Sequence, residues 1–313
     1  HLPPDAADVV VAAIDSYDIF DDVKFISLDE AKEKGLLEIV SSDLDEKFLD
    51  VVQTQQQNPE AVAEVADTFK LIYTPFHGTG SRPNRMGFKN VLVVKEQDTE
   101  DGNFPTVKSP NPEDKEGFEI AIKMAKENDV DVIIGTDPDC DRVGIVVRDA
   151  DGIYRTLTGN QTGALLVEYI LSSKKAKGTL PENGVVIKTI VTTELAAAIA
   201  HSYGIEIMNV LTGFKYIGEK MTEFAKTGDH TYLIGFEESY GYLVGTHARD
   251  KDGVVATMLI AEMAAYYKTK GKSLYEALMD IYNKYGYYSE KTVSFVMPGK
   301  DGMEKMSQLL TDL

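Results

Sequence analysis

The segment Gly135-Thr-Asp137-Pro-Asp139-Cys-Asp141-Arg142 places three carboxylates at alternate positions directly after an apolar run, Val130–Ile134. Negative charge packed this densely is unfavourable unless a cation or several hydrogen-bond donors offset it. A ligand set made only of oxygen suits Mg²⁺, Ca²⁺ or Mn²⁺. The strand-to-loop position is also where open α/β sheets carry their ligand sites. An EF-hand starting at Asp137 would need Gly at its sixth position and Glu at its twelfth, where this chain has Arg142 and Arg148. Cys140 lies between two of the carboxylates but is too soft for such an ion, so packing is its expected job.

A second chemical loop, Gly235-Phe-Glu237-Glu238-Ser239-Tyr-Gly241, again follows an apolar run. Carboxylate and hydroxyl groups on a glycine-bounded loop can bond the vicinal hydroxyls of a sugar. On its own, the pattern is equally that of a Glu-rich surface turn. Leu211-Thr212-Gly213-Phe-Lys215 reads as a turn entering a helix, and a helix N-terminus can receive phosphate.

Short apolar runs alternating with amphipathic stretches from Thr68 onward predict α/β architecture, with two consecutive α/β domains containing mixed, mostly parallel sheets. Expected strands are 71–73, 91–94, 130–134 and 144–147, then 185–189, 206–210, 231–234 and one near 291–296. Expected helices are 5–17, 43–55, 116–127, 162–172, 193–203, 216–225, 254–268 and 274–285, with a short one at the end. The pattern divides the chain into 1–45; 46–175, carrying the aspartate loop; 176–300, carrying the Glu-Glu-Ser loop; and 301–313.

The chain has 32 Lys+Arg against 51 Asp+Glu, a net charge of −19. That field repels nucleic acid and anionic membrane surfaces, so neither is an expected partner. One cysteine and no apolar run of roughly 20 residues point to the cytoplasm. The first residue is His1, and an excised or processed fragment is the expectation.

Thr-Asp137-Pro-Asp139-Cys-Asp141-Arg142 resembles the metal loop of the α-D-phosphohexomutases, and Gly235-Phe-Glu237-Glu238-Ser239 is similar to that family's sugar-binding loop. The resemblance runs from about residue 1 to about residue 300 and implies phosphohexomutase domains 2 and 3, with 1–45 the C-terminal remnant of domain 1 and 301–313 the start of the hinge to domain 4. It implies Asp137, Asp139 and Asp141 as Mg²⁺ ligands, Arg142 as a catalytic group beside the transferring phosphoryl, and Glu237 and Ser239 as sugar contacts. Thr212, Gly213 and Lys215 match a loop facing the sugar. Lys251, in Arg249-Asp-Lys251-Asp-Gly253, matches a lysine pointing into the cleft. His77, in Thr74–Gly80, matches a structural position.

The implied activity is that of an isomerase of carbohydrate metabolism that interconverts hexose 1-phosphate and 6-phosphate, glucose phosphates above all, through a bisphosphate; it is a phosphoprotein whose serine passes a phosphoryl group to a hexose monophosphate. No Thr-x-Ser-His-Asn-Pro-like segment is present, nor the last domain's phosphate-gripping loop. The chain is therefore expected to need domains 1 and 4 of the same polypeptide and to turn nothing over alone. Phosphomannomutase and phosphopentomutase activities are alternatives within the family. Outside it stand a haloacid-dehalogenase-like phosphatase with Asp137 as nucleophile, and a binding module without turnover. The phosphatase pattern would have Thr or Val where this chain has Asp141.

Overall fold

A computed structural model describes residues 4–80, 86–291, 293 and 295–312. Four helices come first: α1 (Pro4–Ile14), α2 (Leu28–Glu33), α3 (Ser42–Gln53) and α4 (Pro59–Val65). Next come β1 (Lys70–Thr74), β2 (Asn90–Val93), α5 (Glu119–Asn128), β3 (Val132–Thr136), β4 (Val143–Arg148) and β5 (Tyr154–Thr156). Their sheet has the order β2-β1-β3-β4-β5, parallel across β2, β1 and β3 and antiparallel across β3, β4 and β5.

The second sheet repeats this plan. It is built from α6 (Gly159–Ala176), β6 (Gly184–Thr189), α7 (Leu195–Ser202), β7 (Glu206–Val210), α8 (Phe214–Thr227), β8 (Thr231–Phe236), β9 (Tyr242–Val244) and α9 (Gly253–Thr269). The order β7-β6-β8-β9 is again a parallel core closed by an antiparallel strand. Helices α10 (Leu274–Tyr285) and α11 (Gly299–Asp312) end the chain.

In each sheet the critical feature is a hairpin. The chain leaves β3, forms the aspartate loop and returns as β4; it leaves β8, forms the Glu-Glu-Ser loop and returns as β9. The short closing strands β5 and β9 were not expected, because three residues show no period-2 pattern long enough to read. The expected strand near 291–296 is not formed at residues 291, 293, 295 and 296; Thr292 and Ser294 lie outside the described residues. Val293, Phe295 and Val296 are exposed there, and β-branched residues alone do not make a strand without a partner to pair with.

Side-chain alternation sorts the first sheet into two faces. Ile133 and Val146 join Phe76 and Phe118 on one side, whereas Val132, Ile134, Ile145 and Val147 pack on the other with α6, α9 and the second sheet. Both units therefore share one continuous apolar core. No helix among the described residues is long and apolar enough to cross a membrane.

Glu262 of α9, fully buried, ties the chain entering α4 to the rest. Its Oε1 accepts from the backbone N–H of Gln57 at 2.6 Å and of Asn58 at 3.0 Å, and from the Tyr169 hydroxyl at 2.8 Å. Its Oε2 is buried and has no hydrogen-bond partner among the described residues. Burial raises this carboxyl above its ordinary range, outweighing the donors that lower it. The native state thus holds the proton more tightly than the unfolded chain, whose carboxyl titrates at about 4.3. That stabilisation is complete below the unfolded value and is lost as pH rises through the raised native one. Glu262→Gln carries no such proton, so its urea-unfolding stability should fall less than the wild type's between about pH 4 and pH 7. Equal pH slopes for the two proteins would remove Glu262 as the source.

Candidate active site

Five loops at the carboxyl ends of strands converge: residues 75–80 after β1, 137–142 after β3, 190–194 after β6, 211–213 after β7 and 237–241 after β8. The aspartate loop is held from within. Asp137 is 1% exposed, and its Oδ1 accepts from the backbone N–H groups of Asp141 at 3.0 Å and Arg142 at 2.9 Å. Its Oδ2 accepts from Arg142 Nε at 2.7 Å. Burial pushes the Asp137 carboxyl up to about 6, against the pull of those Arg142 donors. Oxygen atoms of Asp137, Asp139 and Asp141 lie within 4.8 Å of one another, with Asp139 exposed and Asp141 half-buried. Cys140 takes a left-handed backbone, φ 56°, and burial pushes its thiol up to about 12, so it contributes no thiolate.

From below, the 75–80 turn presses on this loop. Thr79 donates its N–H to the Pro138 carbonyl at 2.8 Å, and a Cβ at Gly78 would lie 2.2 Å from the Pro138 Cα. His77 is buried in the same turn and bonds the Thr99 carbonyl and the Thr106 hydroxyl, which is a structural role.

The Glu-Glu-Ser loop is joined to the aspartate loop by backbone. Arg142 and Gly241 form an antiparallel bridge, and Val143 N–H donates to the Tyr240 carbonyl at 3.0 Å. Gly253 N–H donates to the Cys140 carbonyl at 2.9 Å. Tyr240 mirrors Cys140 with a left-handed φ of 69°. Such conformations in non-glycine residues cost free energy and persist where the surroundings hold them.

Lys251 reaches across the seam. Its Nζ lies 3.0 Å from Asp141 Oδ2, 3.2 Å from Asp250 Oδ1 and 5.7 Å from the centre of the Phe214 ring. Glu237 is 6% exposed, and its Oε1 accepts from Gly213 N–H at 2.9 Å. Burial raises its carboxyl, while Gly213 and Lys251 pull it down. Ser239 is half-buried beside it.

Asp137, Asp139, Asp141, Arg142, Lys251, Glu237, Ser239 and Gly213 are thus gathered at one seam. Thr212 and Lys215 are both exposed and flank Gly213 at the N-terminus of α8, with Lys215 Nζ over the Tyr216 ring at 5.1 Å. Not foreseen were Thr189 and Thr192, whose hydroxyls hold Glu238, and Glu113, whose charge is felt by Arg142. The Thr-x-x-Thr spacing directly after β6 was the available signal for the first pair.

The donor set fits a hard divalent cation. All three groups are carboxylates, and each Asp137 oxygen can accept two bonds, so Oδ2 retains acceptor capacity beyond Arg142.

Two acidic loops joined by backbone pairing, each at the carboxyl end of a strand in a two-sheet α/β body, define the class of protein. Residues 46–152 match the model for phosphoglucomutase/phosphomannomutase alpha/beta/alpha domain II, and residues 158–285 that for domain III. The chain belongs to the phosphoglucomutase/phosphomannomutase family. The second match takes in α6, which the sequence reading placed with the first unit.

The phosphoglucomutase of Staphylococcus haemolyticus (strain JCSC1435) is 37% identical over 249 residues, 78% of this chain and 44% of that protein. That of Staphylococcus saprophyticus is 32% identical over 317 residues, 99% of this chain and 56% of that protein. The glucose 1,6-bisphosphate synthase of Homo sapiens is 35% identical over 238 residues, 73% and 38% respectively. The chain spans about half the length of the curated relatives it matches. Among solved structures, pp63/parafusin from Paramecium in its open form has a TM-score of 0.58 at 17% identity, covering 77% of this chain and 42% of that one. A phosphoglucomutase/phosphomannomutase family protein from Burkholderia thailandensis has a TM-score of 0.54 at 20% identity, covering 72% and 46%.

Removing one carboxylate should weaken the cation site. Asp139→Asn is expected to lower Mg²⁺ affinity at least about tenfold in calorimetric titration, and unchanged affinity would move the ion elsewhere. Gly253→Ala tests the seam, since a Cβ at residue 253 would lie 2.4 Å from the Cys140 carbonyl oxygen. The clash is with backbone, so this variant should also bind Mg²⁺ more weakly although residue 253 offers no ligand.

Proposed function

We propose that this chain is the metal- and sugar-binding middle of a phosphoglucomutase-like enzyme, which interconverts hexose 1-phosphate and 6-phosphate through a bisphosphate intermediate. The observation that carries the reading is the direct joining of the aspartate loop to the Glu-Glu-Ser loop, through the Arg142–Gly241 bridge and the Lys251–Asp141 ion pair.

Asp137, Asp139 and Asp141 would hold magnesium, which supplies electrostatic stabilisation to a phosphoryl group in transfer. Arg142 is fixed through Nε on Asp137, and its guanidinium is permanently charged and suited to the negative charge of a phosphoryl group. Glu237, oriented by Gly213, accepts from sugar hydroxyls, and the Ser239 hydroxyl adds a second contact. Lys251 adds positive charge between the two loops. At the α8 N-terminus, Thr212, Gly213 and Lys215 offer donors to phosphate or sugar oxygens. Reorientation of the bisphosphate then returns the second phosphate to the serine.

That serine, in this reading, belongs to a domain 1 whose remnant is residues 1–45, and the far phosphate is held by a domain 4 that follows a hinge at 301–313. Support comes from residues 9–39, where Val9 and Ile14 of α1 and Phe20, Phe25, Leu36 and Ile39 of the connecting segments are exposed, as residues awaiting a neighbour are. The domain bodies are 46–175 and 176–300, the substrate is a glucose phosphate, and the compartment is the cytoplasm.

In Mg²⁺, the chain should bind α-D-glucose 1-phosphate by calorimetry more tightly than inorganic phosphate, and should not convert it to the 6-phosphate. Isomerisation by the purified chain at the rate of a complete mutase would overturn the dependence on domain 1. Absence of binding to either glucose phosphate would overturn the mutase reading itself, and tighter binding of mannose 1-phosphate would reassign the sugar.

A further inference from the structure

Lys188, the last-but-one residue of β6, is fully buried, which a lysine tolerates only when its charge is met. Its Nζ donates to the Thr192 carbonyl at 2.9 Å, to Glu194 Oε1 at 2.8 Å and to the Thr189 carbonyl at 3.4 Å. An ammonium has three protons, and these three acceptors use them all. The ammonium therefore does not face the cleft. It draws two backbone carbonyls of the 189–192 turn inward, and Thr192 N–H closes the same turn onto the Thr189 carbonyl at 3.1 Å.

The closed turn brings two hydroxyls together. Thr189 Oγ1 and Thr192 Oγ1 are 2.6 Å apart, and both lie against Glu238 Oε2, at 3.1 Å and 3.0 Å. Thr192 Oγ1 also accepts the Glu238 backbone N–H at 3.2 Å. Two hydroxyl protons serve the three oxygen–oxygen contacts of this triangle, so at least one proton is directed to the Glu238 carboxylate. The Glu238 residue is thus held through both its main chain and its side chain by one turn of a neighbouring strand. Glu237 and Ser239, the two proposed sugar contacts, are its immediate neighbours, and Glu237 is tied separately to Gly213. The sugar loop is pinned at two points, by the turn after β6 and by the turn after β7.

We propose that Thr189 and Thr192, set by the buried ammonium of Lys188, are positioning residues for sugar binding: they fix Glu238 and through it the orientation of Glu237 and Ser239. This rests on the sugar-phosphate reading of the 237–239 loop. It assigns Glu238 an inward, loop-holding job distinct from its neighbours, although all three belong to one motif.

The test separates the two readings by using one readout that needs no ligand. Thr192→Val preserves shape and removes the hydroxyl, and Thr192→Ser restores it. Hydrogen exchange of the Glu238 amide should be about tenfold faster in Thr192→Val than in the wild type, with β6 and β8 core amides unchanged, and should return to within about twofold in Thr192→Ser. Binding of α-D-glucose 1-phosphate in Mg²⁺ should follow the same order, about tenfold weaker and then recovered. Lys188→Met should quicken the same amide.

Unchanged exchange at Glu238 in Thr192→Val overturns the proposal whatever the ligand does. Faster exchange across the whole chain marks plain destabilisation and also overturns it. Faster exchange at Glu238 alone, with ester binding equal to that of a binding-competent wild type, overturns the positioning role. A wild type that binds no glucose phosphate defeats the sugar reading instead, and the exchange result still decides whether the turn holds Glu238.

Discussion

Three carboxylates within 4.8 Å repel one another, and much of the architecture around them serves to make that tolerable. Asp137 is neutralised locally by two backbone N–H groups and the Arg142 side chain. Asp141 is met from the other unit by Lys251. Placing that lysine requires the 245–252 loop to lie on the aspartate loop, which in turn requires a glycine at 253 where backbone meets backbone. Asp252 caps α9 by accepting from the N–H groups of Val254 and Val255, and bonds His247 at 2.7 Å, so the lysine's own loop is anchored on the helix that follows it.

The two sheets solve the same problem twice. Each ends its parallel core with a hairpin whose loop is acidic, and each loop turns back through a left-handed non-glycine residue, Cys140 in one and Tyr240 in the other. Arg142 and Gly241, just beyond these two turns, then meet in backbone pairing. A hairpin fixes its loop at both ends, whereas a strand-to-helix connection leaves more freedom to the far end. The aspartate loop and the Glu-Glu-Ser loop are therefore presented as two tips facing each other.

Much of this was legible in the sequence. The Asp-x-Asp-x-Asp-Arg pattern stands out because its charge density has few structural uses, the Glu-Glu-Ser loop is readable only beside it, and the long strands and helices announce themselves by period. Illegible were features that depend on partners distant in the chain. The strands Tyr154–Thr156 and Tyr242–Val244 exist because β4 and β8 offer an edge. Val293, Phe295 and Val296 have the composition of a strand but lie exposed, so composition misled where pairing decides. Thr189 and Thr192 looked like ordinary turn residues, and only the fold brings Glu238 to them, 46 positions beyond Thr192. Lys188 within Val-Val-Ile-Lys gave no hint that it would be enclosed.

The shared apolar core has a consequence for how the molecule holds together. Residues of β3 and β4, of α6 and α9 and of β6 and β8 belong to one contiguous cluster, so a void opened beneath either sheet is surrounded in part by side chains of the other. The two repeats of the plan are separate in sequence but not in cohesion. Loss of one sheet would uncover apolar side chains of the other, and a swap of one for a relative's equivalent would have to carry matching side chains across that common interior.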